Sequence, residues 1–124
     1  MLADGQLMAF VSTTDLDRAR EFYADILGLT VVEQSPYACV FSANGTTLRL
    51  TRADVVAPAP YTVLGWIVSD IEREIQTLAD RDVAFHHYDG MGQSASGVWT
   101  TPGGDRVAWF SDTDGNVLSL TQFA

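Results

Sequence analysis

The clearest alternation of apolar and polar positions lies near the C-terminal end of the chain. Two apolar runs, residues 107–110 and 117–121, flank a polar turn at residues 112–116, DTDGN. The side chains of the second run divide between two faces, one with Leu118 and Leu120 and the other with Val117, Ser119 and Thr121. This pattern predicts a β-hairpin. Its second face is more polar than a core, so we expect functional side chains there.

The first half of the chain predicts one strand, one helix and three further strands. Residues 7–13 read as the first strand, and apolar residues then recur at helical spacing between positions 16 and 27. Thr14 is the predicted N-cap of this helix, with Asp17 three residues later, and Gly28 is its predicted C-terminal stop. The strands that follow are predicted at residues 29–34, 37–42 and 46–51, with an Asn44-Gly45 turn between the last two.

The second half repeats this β-α-β-β-β order. The segment 53–60 contains Pro58 and Pro60 and is predicted as a linker, because proline removes a backbone donor. A strand is predicted at 61–68. Ser69 and Glu72 then form a capping box for a helix from 70 to about 82. A strand at 83–88 and the C-terminal hairpin complete the unit.

An internal repeat supports this division into two modules. Asp15-Leu16-Asp17-Arg18 aligns with Asp70-Ile71-Glu72-Arg73 at an offset of 70 − 15 = 55 residues. The pattern GxxLxLT at position 45 recurs at position 115, an offset of 70. The difference of 15 residues places an insertion in the glycine-rich segment 89–104. This segment is either a binding loop or a solvent loop anchored by Trp99. We expect a single domain, with modules at about 5–52 and 61–123.

Composition excludes several classes of function. The chain has 124 residues, 47% of them hydrophobic, and a formal net charge of −9, which fits one acidic globular domain. All seven basic residues are arginines and they are scattered, so we expect no nucleic-acid partner and no lysine Schiff base. We predict no signal peptide and no membrane partner, and hence a cytoplasmic location. The single cysteine, Cys39, is predicted to be a small buried side chain.

The two modules, the segment DLDRAREFYADILGL in the first and FSDTDGNVLSL in the second, resemble the vicinal oxygen chelate superfamily. That superfamily includes glyoxalases, extradiol dioxygenases, and fosfomycin and bleomycin resistance proteins. The resemblance implies an α+β fold in which two tandem βαβββ modules form a curved eight-stranded cup with helices outside. It also implies a homodimer and, in the active members, a divalent metal in the cup.

The resemblance also locates the four metal-ligand positions of the family, which fall at Met8, Arg49, Val63 and Ser119. None of these side chains supplies a carboxylate, imidazole or thiolate, so we expect the family metal site to be absent and no cofactor to bind. His86 and His87 are adjacent and would point to opposite faces of a strand, so they cannot grip one ion together.

Strand alternation indicates which side chains face the cup. The predicted ligand-binding residues are Met8, Phe10, Arg49, Val63, His86, Tyr88, Trp99, Trp109 and Ser119. Arg49 cannot lose its charge, so it is expected to meet a ligand anion, ordered water or an internal carboxylate. Leu64 and Trp66 face the other way and are assigned to the core. Asp112 and Asp114 are assigned to turn hydrogen bonding rather than catalysis.

Three functional hypotheses follow from these positions. The first is a small-molecule-binding protein that binds or sequesters a partly aromatic compound without a metal, as the bleomycin-resistance branch uses its cup. The second is an enzyme of the lyase, isomerase or dioxygenase type, either metal-dependent through other ligands or metal-free with His86 as base. The third is a dimerisation module whose cup is filled by its own side chains.

Overall fold

Each half of the chain folds into a four-stranded mixed sheet with one α-helix in the computed structural model, which describes residues 1–124. The two halves are compact units, Met1–Ala57 (unit 1) and Pro58–Ala124 (unit 2), and each is described by itself. A single 3₁₀ turn, Leu2–Asp4, precedes the first strand.

Unit 1 contains strands β1 to β4 and helix α1. Their bounds are β1 Met8–Thr13, α1 Leu16–Glu21, β2 Thr30–Gln34, β3 Ala38–Ala43 and β4 Thr46–Arg52. Helix α1 continues as a π-helical segment, Phe22–Ile26, and Gly28 then adopts a φ of +81°, which confirms it as the stop. The strand order is β1-β4-β3-β2, with β1 and β4 parallel and the other pairs antiparallel.

Unit 2 repeats this topology. Its elements are β5 Thr62–Ile67, α2 Ile71–Ala79, β6 Trp99–Thr100, β7 Arg106–Ser111 and β8 Val117–Gln122. The strand order is β5-β8-β7-β6, and the pair β5–β8 is parallel, as β1–β4 is in unit 1. The predicted α+β class and the two βαβββ modules are therefore confirmed, and the eight strands divide equally between two sheets.

Both helices begin one residue later than the sequence predicts. The N-caps are Asp15 and Asp70 rather than Thr14 and Ser69, and each aspartate accepts a hydrogen bond from the backbone N–H three residues on. The donor–acceptor distances are 3.1 Å and 3.2 Å. An aspartate at this position also places a negative charge at the positive end of the helix dipole, so it competes well with a neighbouring hydroxyl.

The two repeated glycines hold the same backbone conformation. Gly45 and Gly115 both have a φ of +85°, a region that side chains other than glycine rarely adopt. Asn44 has a φ of 48°, and Ala43 pairs with Thr46, so Asn44 and Gly45 form the predicted two-residue hairpin turn. The repeat seen in the sequence therefore reflects a shared requirement for positive φ immediately before β4 and near the start of β8.

The core of each unit follows the predicted alternation. Leu48 and Leu50 in β4, and Leu118 and Leu120 in β8, are buried on the helix-covered side of their sheets. Trp66 stacks on Phe110 with ring centroids 6.4 Å apart, which agrees with its assignment to the core.

Cys39 lies within the core of unit 1 and is fully buried. Burial raises the pKa of the Cys39 thiol, and the nearby charge of Arg20 opposes this only in part. A thiol that is buried and held in its neutral form is a poor nucleophile, so Cys39 is a packing residue, as predicted.

The prediction of a strand at residues 83–88 is wrong. This segment is extended, but a single backbone bond joins it to the sheet, from His86 N–H to the Trp109 carbonyl at 2.8 Å. The second strand of the module is instead β6, inside the predicted loop 89–104, where Trp99 pairs with Val107. The Gln93 side chain, rather than a strand, bonds to the Tyr88 N–H and the His86 carbonyl of this segment.

Candidate functional site

Unit 2 contains a cleft of about 310 Å³ with mainly aromatic and apolar walls. It is lined by Pro60, Tyr61, Thr62, Tyr88, Met91, Trp109 and Val117. None of these residues carries a charge at neutral pH, and the polar groups available to a ligand are hydroxyls and backbone atoms. The volume is at the small end of the range for ligand sites, so the cleft suits a compound of one or two rings.

Four aromatic rings form a continuous array, and two of them, Tyr88 and Trp109, line this cleft. Trp99 stacks on Trp109 at 6.2 Å with an interplanar angle of 29°, and Tyr88 meets Trp109 edge-on at 5.6 Å. The His86 ring lies 6.0 Å from that of Tyr88. These are favourable geometries for aromatic pairs, and they hold the Trp109 ring in a defined orientation. The structure therefore brings four predicted site residues together.

The two histidines contact different partners. His86 Nε2 lies 2.7 Å from Ser111 Oγ. His87 Nε2 lies 3.3 Å and 3.2 Å from the carbonyl oxygens of Ser94 and Ala95. Because a carbonyl oxygen only accepts, His87 carries its proton on Nε2 and donates it to the loop. His86 belongs to the aromatic array, whereas His87 fastens the loop.

Gln93 joins the loop to the extended segment 83–88. Its amide oxygen accepts the Tyr88 N–H at 2.6 Å. Its amide nitrogen donates to the carbonyls of His86 at 2.9 Å and Gly97 at 2.8 Å. One side chain therefore satisfies backbone groups that a neighbouring strand would otherwise pair. This fixes the backbone from which His86 and Tyr88 project.

A second anchor ties the loop to helix α2. Glu72 accepts hydrogen bonds from the Ser96 hydroxyl at 3.1 Å and 2.9 Å, and it forms an ion pair with Arg106 at 3.0 Å. The segment 89–104 thus contributes Met91 to the cleft and Trp99 to the aromatic array while being held from two sides. These contacts favour the interpretation of the segment as a binding loop with a fixed position.

Ser119 packs against Gly65 on the neighbouring strand. A Cβ atom built on Gly65 would lie 2.6 Å from Ser119 Oγ, closer than real Cβ contacts allow. The two residues are register partners between β5 and β8, and Ser119 is 8% exposed. Ser119 therefore occupies the space above Gly65, while Val63, two residues earlier on β5, remains partly exposed.

The remaining predicted site residues lie in unit 1, on the sheet face that α1 does not cover. Met8 and Phe10 are exposed, Phe10 by 61%, and Arg49 is half-buried between its register partners Phe10 and Val40. Glu72 pairs with Arg106, and the N-terminal amine pairs with Asp4. Arg49 is in neither, so an internal carboxylate does not neutralise it.

The family metal does not fit the donors at the corresponding positions. Met8 offers a thioether and Arg49 a cation, while Val63 offers no lone pair and Ser119 offers a hydroxyl packed on Gly65. Zinc and harder divalent ions require imidazole, thiolate or carboxylate ligands. No group of three or more histidine, cysteine, aspartate or glutamate residues lies close enough to hold an ion. The side chains at these four positions therefore do not form a ligand set for the family metal.

The Asp112 carboxylate accepts hydrogen bonds from residues of its own turn, 112–116. It accepts hydrogen bonds from Asp114 N–H at 3.0 Å, Asn116 N–H at 2.9 Å and the Asn116 amide at 2.9 Å. The structural role predicted for Asp112 is confirmed. The residue holds the β7–β8 turn closed.

Unit 1 also has a larger surface hollow of about 530 Å³ beside the start of α1. Asp15, Asp17 and Arg52 are among its lining residues, and the Asp15 carboxylate is already used as the α1 N-cap. Its walls are charged and exposed to solvent, with little apolar surface for a ligand to cover. We regard the cleft of unit 2 as the stronger candidate site.

Sequence reasoning missed several residues that build this cleft. Pro60 was assigned to the linker and Tyr61 only to the start of a strand, yet both line the cleft. Ser111 and Gln93 act through contacts with His86, which lies 25 residues before Ser111 and 7 residues before Gln93, and no local motif marks either residue. Tyr61, which directly follows the proline-containing linker, was the one available signal, because connecting segments carry binding residues more often than the elements that they join.

A family model for the Glyoxalase/Bleomycin resistance protein/Dioxygenase superfamily matches residues 5–120. No curated protein matches the sequence. Neither α-helix has the length and apolar character needed to cross a membrane.

Several solved structures share the fold. A superfamily member from Sphaerobacter thermophilus DSM 20745 is 26% identical, with a TM-score of 0.76 over 98% of this chain and 99% of that chain. A genomically encoded fosfomycin resistance protein from Listeria monocytogenes is 13% identical, with a TM-score of 0.77 over 98% and 94%. A lactoylglutathione lyase from Agrobacterium tumefaciens is 18% identical, with a TM-score of 0.74 over 96% and 93%.

The family model covers nearly the whole chain, and the repeated βαβββ topology agrees with it. The chain therefore belongs to the glyoxalase/bleomycin resistance protein/dioxygenase superfamily, also called the vicinal oxygen chelate superfamily.

Proposed function

We propose that this protein binds a small, partly aromatic compound in the cleft of unit 2 and does so without a metal ion. The observation that carries the proposal is the cleft wall, in which Tyr61, Tyr88 and Trp109 meet Met91 and no charged side chain. Tyr61 and Tyr88 are exposed in the protein alone. A planar ligand would remove apolar ring surface from water at about 25 cal/mol per Å² and gain aromatic contacts as well.

The side chains of the cleft wall are held in fixed positions, which supports a binding role over a purely structural one. Trp99 stacks on the Trp109 ring and Tyr88 meets it edge-on, and Gln93 fixes the backbone of Tyr88. A site whose side chains are already ordered loses less conformational entropy when the ligand binds. The alternative of a module whose site is filled by its own side chains does not account for an open cleft of about 310 Å³.

Phe10 and Arg49 form a second proposed contact surface, on the sheet of unit 1. An exposed aromatic ring lies beside a half-buried guanidinium that no carboxylate of the chain neutralises. Arginine binds a carboxylate with two parallel hydrogen bonds, so this surface suits an anionic group on a planar compound. We propose Met8 as an apolar contact of the same surface.

Binding of two naphthalene compounds tests the proposal. We expect 2-naphthol and 2-methoxynaphthalene to bind the purified protein at about millimolar affinity or tighter, measured by isothermal titration calorimetry or ligand-observed NMR. Trp109→Ala removes the central ring of the wall, and we expect it to weaken both ligands by roughly 10-fold or more.

The matched control is Trp66→Phe, which changes a tryptophan of the same sheet that stacks on Phe110 in the core. We expect this variant to keep both affinities within about twofold, since Trp66 is not among the residues that line the cleft. Unchanged binding in Trp109→Ala, or equal losses in both variants, would show that the cleft is not the binding site.

The cytoplasmic location and the homodimer implied by the sequence and its resemblance remain part of this proposal. Exposed apolar residues on the open sheet faces, such as Phe10 and Ile67, are compatible with a partner subunit. Sedimentation velocity separates a dimer from a monomer, and a monomer at all protein concentrations would remove the homodimer from the proposal.

A further inference from the structure

His86 and Ser111 form a polar pair at one end of the aromatic array. Their side chains are joined by the 2.7 Å contact between His86 Nε2 and Ser111 Oγ, and both residues are half-buried. Ser111 lies two residues after Trp109 on β7, so the two side chains project from the same face of the sheet. The bond from His86 N–H to the Trp109 carbonyl keeps His86 beside that face.

This pair lies next to the cleft. Ser111 is the register partner of Val117, which lines the cleft, and the His86 ring contacts Tyr88, another lining residue. The cleft itself holds no charged group, and Ser111 adds a hydrogen-bond acceptor at this end to the hydroxyls of the cleft wall. The position of the pair therefore bears on which ligands the cleft prefers.

Ser111 Oγ keeps at least one lone pair free to accept a hydrogen bond in either histidine tautomer. If Ser111 donates to His86 Nε2, both lone pairs of the serine oxygen remain available. If His86 Nε2–H donates to Ser111, one lone pair of that oxygen is used and the other remains. Ser111 Oγ can therefore accept a hydrogen bond from a ligand in both cases, and His86 holds the hydroxyl in position.

We propose that Ser111, oriented by His86, accepts the hydroxyl hydrogen of a phenol or other hydroxylated aromatic compound bound in the cleft. This inference rests on the proposed function and names the class of ligand that the same cleft selects. Ser111 is a specificity-determining residue in this scheme, and His86 is a positioning residue. A neutral hydroxyl suits the pair better than an ether, because an ether has no proton to donate.

The test compares 2-naphthol with 2-methoxynaphthalene, in which the hydroxyl hydrogen is replaced by a methyl group. One net hydrogen bond corresponds to roughly a 3- to 10-fold difference in affinity, so we expect wild-type protein to bind 2-naphthol more tightly by about that factor. In Ser111→Ala the preference disappears, because 2-naphthol weakens while 2-methoxynaphthalene stays within about twofold.

Two further variants make the result specific. His86→Phe keeps a ring beside Tyr88 but removes the bond to Ser111, and we expect it to reduce the preference for 2-naphthol. Ser42→Ala changes an exposed serine in unit 1 and serves as the matched control, with both affinities unchanged.

The outcomes separate this inference from the proposal on which it rests. Equal binding of the two ligands to wild-type protein, or a preference that survives in both Ser111→Ala and His86→Phe, would overturn the role of the pair while leaving the aromatic cleft intact. Failure of wild-type protein to bind either ligand would overturn both.

Discussion

Replacing Phe110 with alanine is expected to lower the free energy of unfolding by about 3–5 kcal/mol. Phe110 is 1% exposed, and its ring packs against Phe85 at 5.3 Å and Trp66 at 6.4 Å. The truncation removes buried apolar surface and leaves a cavity. The neighbouring side chains, Phe85 and Trp66 among them, can fill this cavity only in part. Urea unfolding followed by circular dichroism measures the change.

Phe123→Ala is the matched control, because it makes the same substitution at a residue that is 58% exposed near the end of the chain. We expect its effect to be below about 1 kcal/mol. If the two variants lost similar stability, Phe110 would not be the central packing residue of unit 2.

Asp112→Ala is expected to lower the free energy of unfolding by about 3 kcal/mol, since hydrogen bonds to a charged group contribute about 1.5–3 kcal/mol each. The Asp112 side chain, 9% exposed, accepts three hydrogen bonds from Asp114 and Asn116. Alanine removes the acceptor of all three hydrogen bonds in a largely buried turn. Asp112→Asn keeps one acceptor oxygen for the backbone donors, so we expect it to lose less.

Asp89→Ala removes an exposed carboxylate of the same unit and controls for the change in net charge. We expect its effect to lie within about 0.5 kcal/mol of zero. Thermal unfolding gives an independent measurement, in which Asp112→Ala melts well below wild-type protein and Asp89→Ala does not. A stable Asp112→Ala variant would mean that the turn closes without this carboxylate.

Local chemistry in the sequence was sufficient to predict most of the fold. The Asn44-Gly45 turn and the glycine at position 115 follow from the need for positive φ, which depends on single residues. The helix positions follow from apolar periodicity. The shift of each N-cap to the following aspartate is a small correction, since threonine, serine and aspartate are all strong caps and lie side by side.

The second strand of unit 2 was not predictable from local pattern. Residues 83–88 have the composition of a strand, but Gln93 takes the place of a neighbouring strand for His86 and Tyr88. Strand pairing instead occurs between Trp99 and Val107, within a segment that glycine content assigned to a loop. Pairing depends on tertiary contacts, which composition does not encode.

The candidate site was predictable only in part, because some of its residues acquire their role through tertiary contacts. Tyr88 and Trp109 were identified from predicted strands and Trp99 as an aromatic residue of the predicted loop 89–104, and the structure brings the three together. Ser111 acquires its role only through His86, 25 residues earlier in the chain. The sequence also left open an internal carboxylate for Arg49, and the fold places none within ion-pair distance.

Binding of 2-naphthol to metal-depleted protein is the most direct test of a metal-free aromatic site. The protein is treated with a chelator, its metal content is verified by elemental analysis, and 2-naphthol is titrated before and after addition of Zn²⁺, Mg²⁺ or Mn²⁺. We predict saturable binding with a dissociation constant that stays within about twofold under all four conditions, because the cleft residues include no metal ligand set. Binding that disappears on chelation and returns with a stoichiometric divalent ion would contradict a metal-free site.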